Sequence, residues 1–171
     1  MGNKIVIKIV TSGEGGTGKT TLLHRYVNKA FNAELKMTIG VEFFVKSLTL
    51  EDQEYALQLW DFGGQERFRF MLESYLIGAK GAILMVDLTR MHTLGTVGEW
   101  VKLLRSKDAN LPILLIGSKL DLTDKISVEE SDLIPLVEKY QLCGILKVSS
   151  KTGENVEQVF IDIVKEIMHN K

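Results

Sequence analysis

Eight residues near the N-terminus, Gly13-Glu14-Gly15-Gly16-Thr17-Gly18-Lys19-Thr20, carry the spacing G-x-x-x-x-G-K-T. The chemistry open to them is that of holding a polyphosphate. The glycines allow a tight turn that brings backbone N–H groups up to phosphate oxygens. Lys19 supplies a point charge for the terminal phosphates, and the Thr20 hydroxyl can ligate an accompanying Mg²⁺. A helix opening near Lys19 aims the positive end of its dipole at the same anion. A glycine-rich turn can also hold an unspecified anion, so the flanking elements decide. Residues 5–10 read as a buried strand and residues 21–27 as a helix, and strand, glycine loop, helix is the context in which this pattern binds phosphate.

Those flanks open an alternating chain. After a helix over about 19–29, residues 31–40 show neither strand alternation nor a helical face and read as a loop. Residues 41–50 and 54–61 form a hairpin about the polar turn Glu51-Asp52-Gln53. Continuous apolar runs at 81–87 and 111–117, and a shorter one at 144–149, are strands covered on both faces. Helices are expected over about 94–107, 127–140 and 154–169, the last with a stripe at Val156, Val159, Phe160, Ile163, Val164 and Ile167. The sum is an α/β fold, a mainly parallel six-stranded sheet with one antiparallel strand and helices on both faces. No linker or internal repeat interrupts it, so residues 1–171 are expected to form one domain.

Ligands on such sheets bind at the carboxyl ends of the strands. Three further polar segments fall there. Trp60-Asp61-Phe62-Gly63-Gly64-Gln65 offers a carboxylate for a Mg²⁺ shell, a glycine N–H for the terminal phosphate, and an amide that can orient an attacking water. Gly117-Ser118-Lys119-Leu120-Asp121 offers a lysine stem to lie over a flat ring, and a carboxylate matching two adjacent N–H donors such as those of guanine. Ser149-Ser150-Lys151-Thr152-Gly153 offers backbone N–H groups for a base carbonyl. Taken singly these are ordinary turn and capping residues. Paired with the glycine loop they form a nucleotide site.

Composition narrows the rest. With 45% apolar and 25% charged residues the chain is an ordinary globular sequence, and Lys+Arg 21 against Asp+Glu 22 argues against a general nucleic-acid binder. Cys143 is the only cysteine, which excludes an internal disulfide and reads as a small core residue. No apolar run reaches membrane-spanning length. Residues 1–4 lead straight into the first strand without a signal peptide, Val6 breaks the myristoylation pattern after Gly2, and no cysteine stands near the C-terminus. A cytoplasmic protein without a membrane anchor in these residues is expected.

The set Gly13–Thr20, Thr38, Asp61-x-x-Gly64-Gln65, Lys119-x-Asp121 and Ser149-Ser150-Lys151 resembles the five motifs of Ras-superfamily small GTPases, in order and across essentially the whole chain. Thr38-Ile39-Gly40-Val41-Glu42-Phe43, Gly64-Gln65-Glu66-Arg67-Phe68-Arg69 and the stretch from Ser149 to Val156 are most similar to the Rab family. The resemblance implies a P-loop NTPase domain that binds GTP or GDP with Mg²⁺. Thr20, Thr38 and Asp61 would hold the metal. Gly13, Glu14, Gly15, Gly16, Thr17, Gly18, Lys19, Thr20, Thr21, Phe31, Thr38, Gly64, Ser118, Lys119, Asp121, Ser149, Ser150 and Lys151 would hold the nucleotide. Gln65, Lys19, Gly64 and Thr38 would carry hydrolysis. Residues 32–40 and 62–78 would be nucleotide-dependent switch segments. Phe43, Trp60 and Tyr75 match an aromatic triad that docks effectors; exchange factors and GTPase-activating proteins are the other implied partners, and the chain is expected as a monomer.

The departures carry their own expectations. Ser118 stands where the family usually has an Asn that braces the glycine loop, which predicts looser nucleotide binding. Leu35 replaces a switch aromatic, which predicts a weaker lid over the phosphates. Met37 and Phe62 are atypical, and Gly63 is more like the Arf branch. The family's cysteine-bearing tail is absent from residues 1–171, so membrane association is expected only through a lipidated tail beyond them. No loop arginine is an evident internal finger, which predicts a low basal rate that a partner's arginine raises by roughly 10³–10⁵. The alternatives are a GTP/GDP-binding recruitment module with little hydrolysis, and a small-molecule kinase sharing the same loop.

Overall fold

The apolar runs become the strands of one six-stranded sheet in the computed structural model, which describes residues 3–171. In chain order the elements are β1 (Ile5–Gly13), α1 (Lys19–Asn28), β2 (Val41–Leu50), β3 (Gln53–Phe62), α2 (Arg69–Tyr75), β4 (Gly81–Asp87), α3 (Val97–Leu104), β5 (Ile113–Ser118), α4 (Glu130–Tyr140), β6 (Gly144–Lys147) and α5 (Val156–His169). Short 3₁₀ turns lie at Glu66–Phe68, Met91–Thr96 and Thr123–Lys125. The strands lie in the order β2-β3-β1-β4-β5-β6. β2 runs antiparallel to β3 and every other neighbouring pair is parallel, as the sequence predicts.

Burial explains the composition of each strand. Every residue of β4 and β5 is buried, which is why both read as unbroken apolar runs. On one face α1 and α5 bury Leu22, Leu23, Val159, Phe160 and Ile163 against Ile7, Ile9, Leu57 and Ile83. Tyr26 stacks on Phe160 there with ring centroids 3.7 Å apart. On the other face α2, α3 and α4 bury Leu72, Trp100, Leu104 and Leu133 against Val10, Leu84 and Leu115. Cys143 packs partly buried at the edge of the first cluster, and burial pushes its thiol up to about 12, so it stays protonated and inert at neutral pH.

Two helices begin three residues later than expected, and a third is not expected at all. α3 begins only at Val97 because Met91–Thr96 winds as 3₁₀, with the Thr93 and Thr96 hydroxyls donating to the carbonyls three residues back. α4 begins at Glu130 because Glu129 and Asp132 form a capping box, while Ser127 and Val128 donate their N–H groups to the Leu88 carbonyl. Inside the predicted 62–78 segment lies a helix the sequence does not announce. α2 has seven residues and buries only Leu72 fully, too short a run for periodicity to register.

Because β1, β3, β4, β5 and β6 are parallel, their carboxyl ends share one rim. Gly13–Thr20, Asp61–Gln65, Asp87–Arg90, Ser118–Asp121 and Ser149–Lys151 all leave from it. Among the described residues, no helix is long and apolar enough to cross a membrane. Met1 and Gly2, on which the leader and acylation readings rest, lie outside the described residues.

Candidate functional site

The glycine loop is shaped by positions only glycine fills readily. Gly13, Gly16 and Gly18 have φ of 134°, 75° and 91°, and a Cβ on Gly13 would strike the Met85 carbonyl of β4. The loop curls over its own lysine. Lys19, 5% exposed, donates Nζ to the Glu14 carbonyl at 2.8 Å, which also accepts from the Thr17 hydroxyl at 2.8 Å. Glu14 and Thr17 thus shape the loop through the Glu14 carbonyl.

Thr20 from α1, Thr38 from the 31–40 loop and Asp61 from β3 converge on one point. The Thr20 hydroxyl donates its single proton to Asp61 Oδ2, so Thr38 donates to Thr20 across 2.5 Å; Asp61 Oδ2 also lies 3.4 Å from Thr38 Oγ1. Asp61 Oδ1 is buried with no hydrogen-bond partner. Two hydroxyls and a carboxylate with a spare oxygen form a hard-oxygen donor set that suits Mg²⁺. Among the described residues no cluster of three His, Cys, Asp or Glu is found.

A cavity of about 260 Å³ adjoins this cluster, lined by Gly15, Gly16, Gly18, Lys19, Thr20, Thr21, Leu35, Thr38 and Gly64. A second, of about 480 Å³, continues from it past Gly16, Gly18, Thr21 and Leu35 to Phe31, Ser118, Lys119, Asp121, Ser150 and Lys151. Phosphate-type and base-type residues are therefore sorted into two joined chambers. A larger hollow, of about 520 Å³, is lined by Lys80, Arg105, Asp108 and Pro112 among others, none of them from the motifs.

Four predicted residues make contacts within the protein that their motifs do not announce. Ser149 is fully buried outside the base chamber, and its hydroxyl donates to Asp121 Oδ1 at 2.7 Å, fixing that carboxylate. The Ser118 hydroxyl lies 2.6 Å from the Thr17 carbonyl and 3.1 Å from that of Val86, so it reaches the glycine loop despite its short side chain. Gly64 packs so closely on the loop that a Cβ would fall 2.7 Å from Gly13 O and 2.6 Å from Glu14 C. Gln65 lines neither cavity itself: its amide N–H donates to the thioether of Met37, which does line the first, and its Oε1 accepts from Arg67 Nε at 2.9 Å. Gly63, the Arf-like departure, donates its N–H to Gly40 O at 2.8 Å, and a Cβ there would meet Thr38 O at 2.7 Å.

The chain matches the Ras family model over residues 8–169. It belongs to the Ras family. Members of this family are GTPases and small GTP-binding switches that bind guanine nucleotide with Mg²⁺, so the reading from the motifs holds at that level. Similar proteins include the Ras-related protein RABA1c of Arabidopsis thaliana, 38% identical over 165 residues, 96% of this chain and 76% of the relative. Rab11E of Lotus japonicus is 40% identical over 95% of this chain and 74% of its own length. Rab-19 of Homo sapiens is 37% identical over 95% and 76%. The Ras-family chain is thus Rab-like.

Two residues of this GTPase's rim escape sequence reading. Asp87, fully buried at the end of β4, accepts Lys119 Nζ at 2.7 Å and Arg90 Nε at 2.9 Å. Burial would raise its pKa, but the hydrogen bonds from Lys119, Thr89 and Arg90 prevail and hold it below the ordinary carboxylate value. Arg90 in turn donates Nη2 to the Gly15 carbonyl at 3.1 Å, so an arginine does stand at the phosphate loop. The signal was present: Asp87 is the one charge in an otherwise apolar strand, at the carboxyl end where ligands bind.

Burial also perturbs the loop's own charges. It pushes Asp61 up to about 6, against the hydrogen bond from Thr20 and the charge of Lys19, and lowers Lys19 to about 8, with Arg90 adding repulsion. The sign for stability follows from proton counts. Asp61 binds a proton in the folded chain that the unfolded chain lacks between pH 3.8 and about 6, so its contribution is lost as pH rises through 6. A cation beside Asp61 favours the carboxylate instead. Titrating Mg²⁺ into nucleotide-loaded wild type and Asp61→Asn at pH 6, in two buffers of different ionisation enthalpy, is expected to show greater proton release from wild type, since the nucleotide's own phosphate contributes equally to both. Equal proton release from the two chains would remove Asp61 from the metal site.

Proposed function

We propose that this Rab-like GTPase is a slow, Mg²⁺-dependent GTP hydrolase acting as a two-state switch, a cytoplasmic monomer with residues 1–171 as one G domain. The observation that carries the reading is the pair of joined chambers sharing Gly16, Gly18, Thr21 and Leu35. One is lined by the groups a triphosphate needs, the other by the groups a guanine needs.

Each residue's part follows from its chemistry. Glycine-loop N–H groups and Lys19 hold the β- and γ-phosphates, where charge builds during transfer. Thr20, Thr38 and Asp61 would hold Mg²⁺, which when bound neutralises phosphate charge. Gly64 presents its N–H beside the loop. Gln65 orients the attacking water, and to do so its amide must leave Met37 and Arg67. That exchange, with Leu35 as an aliphatic lid, supports a low intrinsic rate. Asp121, fixed by Ser149, accepts the two N–H groups of guanine's pairing edge, with Lys119 along the ring and Phe31 at the rim. Ser150 and Lys151 close the base chamber.

Segments 32–40 and 62–78 meet through Gly63 and Gly40, so a phosphate that moves one moves the other. Beside them Phe43 and Trp60 lie 4.9 Å apart, and Trp60 and Tyr75 5.6 Å apart, centroid to centroid. Exposed Ile39, Phe70 and Ile77 extend this apolar surface, which suits docking of effectors and regulators sensitive to switch arrangement.

Single-turnover hydrolysis of protein loaded with GTP, with ATP and chelated Mg²⁺ in parallel, tests the reading. Slow loss of γ-phosphate from GTP alone, abolished by chelation, is expected. Gln65→Leu should slow that step by about 10²-fold with GDP affinity unchanged, the loss of one group acting on the reaction. Equal hydrolysis by wild type and Gln65→Leu removes Gln65 from the mechanism. Tight GTP binding without turnover selects the recruitment module, the alternative that the Met37–Gln65 contact favours.

A further inference from the structure

Asp87 gathers more charge than one buried carboxylate needs. It accepts from the Thr89 N–H and hydroxyl at 2.8 and 2.6 Å, and from two cations, Arg90 and Lys119. Breaking one arm of such a buried cluster is costly, so both cations are held in fixed geometry. They then reach in different directions. Lys119 leaves β5 in a left-handed conformation, φ 66°, and lines the base chamber. Arg90 turns toward the phosphate chamber, donating to Gly15 O, with its guanidinium 3.3 Å from where a Cβ on Gly16 would stand.

We propose that Arg90 is a positioning residue for the phosphate loop, pinning the Gly15–Gly16 turn to Asp87 and so setting how long nucleotide stays bound. This rests on the guanine-nucleotide reading above. The planar fork is what the task requires, since Nε meets a carboxylate while Nη2 meets a carbonyl, and a lysine ammonium is a single point that cannot span both. The loop has need of such a tie. Gly16 holds φ 75° without a side chain to anchor it, and Ser118 has one hydroxyl proton for two carbonyls, Thr17 O and Val86 O. Asp87 thereby braces the phosphate half of the site through Arg90 and the base half through Lys119.

The test is release of a fluorescent GDP from the 171-residue chain, chased with unlabelled GDP in Mg²⁺, alongside the same measurement with GTP and IDP. Arg90→Ala is expected to speed release of all three by about ten- to a hundredfold, the loss of a charge-assisted link. The preference for GDP over IDP should stay as in wild type, because the base contacts are untouched; general loosening of the fold would erode that preference too. Arg90→Lys, which keeps the charge without the fork, should still release about fivefold faster than wild type. Release by Arg90→Ala within twofold of wild type overturns the inference, as does full rescue by lysine or a change in hydrolysis with release unaltered. A wild-type chain that takes up no guanine nucleotide overturns the functional reading itself, and is told apart by its failure before any variant is made.

Discussion

Asp121→Asn is expected to weaken GTP binding by about 10²–10⁴-fold and to confer measurable affinity for XTP. The carboxylate is acceptor-only, and guanine's pairing edge presents two adjacent N–H donors, so both bonds are charge-assisted. Hydrogen bonds to charged groups contribute about 1.5–3 kcal/mol each, which sets the range. An amide replaces one acceptor oxygen by an NH₂, leaving one guanine donor facing another donor. Xanthine carries a carbonyl at that position and restores the match. The effect is large because Asp121 cannot swing aside: Ser149 Oγ holds its Oδ1 at 2.7 Å from a fully buried position. Competition against a fluorescent guanine nucleotide reads both changes. Unchanged GTP affinity would take the base chamber out of guanine recognition. Ser149→Ala should weaken binding less, since it loosens the carboxylate without altering its acceptors.

How far the sequence foretold this site depends on whether a residue acts through its own local pattern or through a distant partner. Gly13–Thr20 was readable because loop geometry, lysine and hydroxyl sit within eight residues, and a strand and a helix flank them. Asp61, Gly64, Lys119 and Asp121 were readable because they follow segments that read as strands, and the carboxyl ends of parallel strands are where ligands gather. The reach of Ser118 to the glycine loop is not legible in the sequence, because nothing along the chain shows that Thr17, a hundred and one positions away, offers its carbonyl within 2.6 Å. Arg90 escaped for the same reason: it is three residues from Asp87 but acts on Gly15, seventy-five positions earlier. Gly63 looked like a borrowed feature of another branch, whereas a steric cause is plain once Thr38 and Gly40 are seen against it. The α2 helix left no periodic trace because seven residues make only two turns.

Gly64→Ala is the other change of large expected effect, and its cause is steric. Gly64 has ordinary backbone angles, so alanine is not excluded by conformation. What excludes it is the glycine loop, whose backbone atoms Gly13 O and Glu14 C would lie 2.7 and 2.6 Å from the new Cβ. Flexible side-chain ends can step aside from such a contact, but backbone held by β1 cannot, so the segment after β3 must retreat from the phosphate chamber. Gly63 retreats with it and pulls on Gly40, its partner at 2.8 Å, and thereby on Thr38. One methyl group thus separates both switch segments from the phosphates. Hydrolysis should fall by about 10²–10³-fold, the cost of removing a donor from the site of developing charge. GDP affinity should change little, since Lys19, the loop N–H groups and Asp121 are untouched. Trp60, packed between Phe43 and Tyr75 at the base of the same segment, gives an independent reading: its fluorescence should differ between GDP- and GTP-loaded wild type and be the same in both loaded forms of Gly64→Ala. If GDP affinity instead falls as far as hydrolysis does, the glycine loop has yielded rather than the segment, and the coupling of the two switches through Gly63 loses its support.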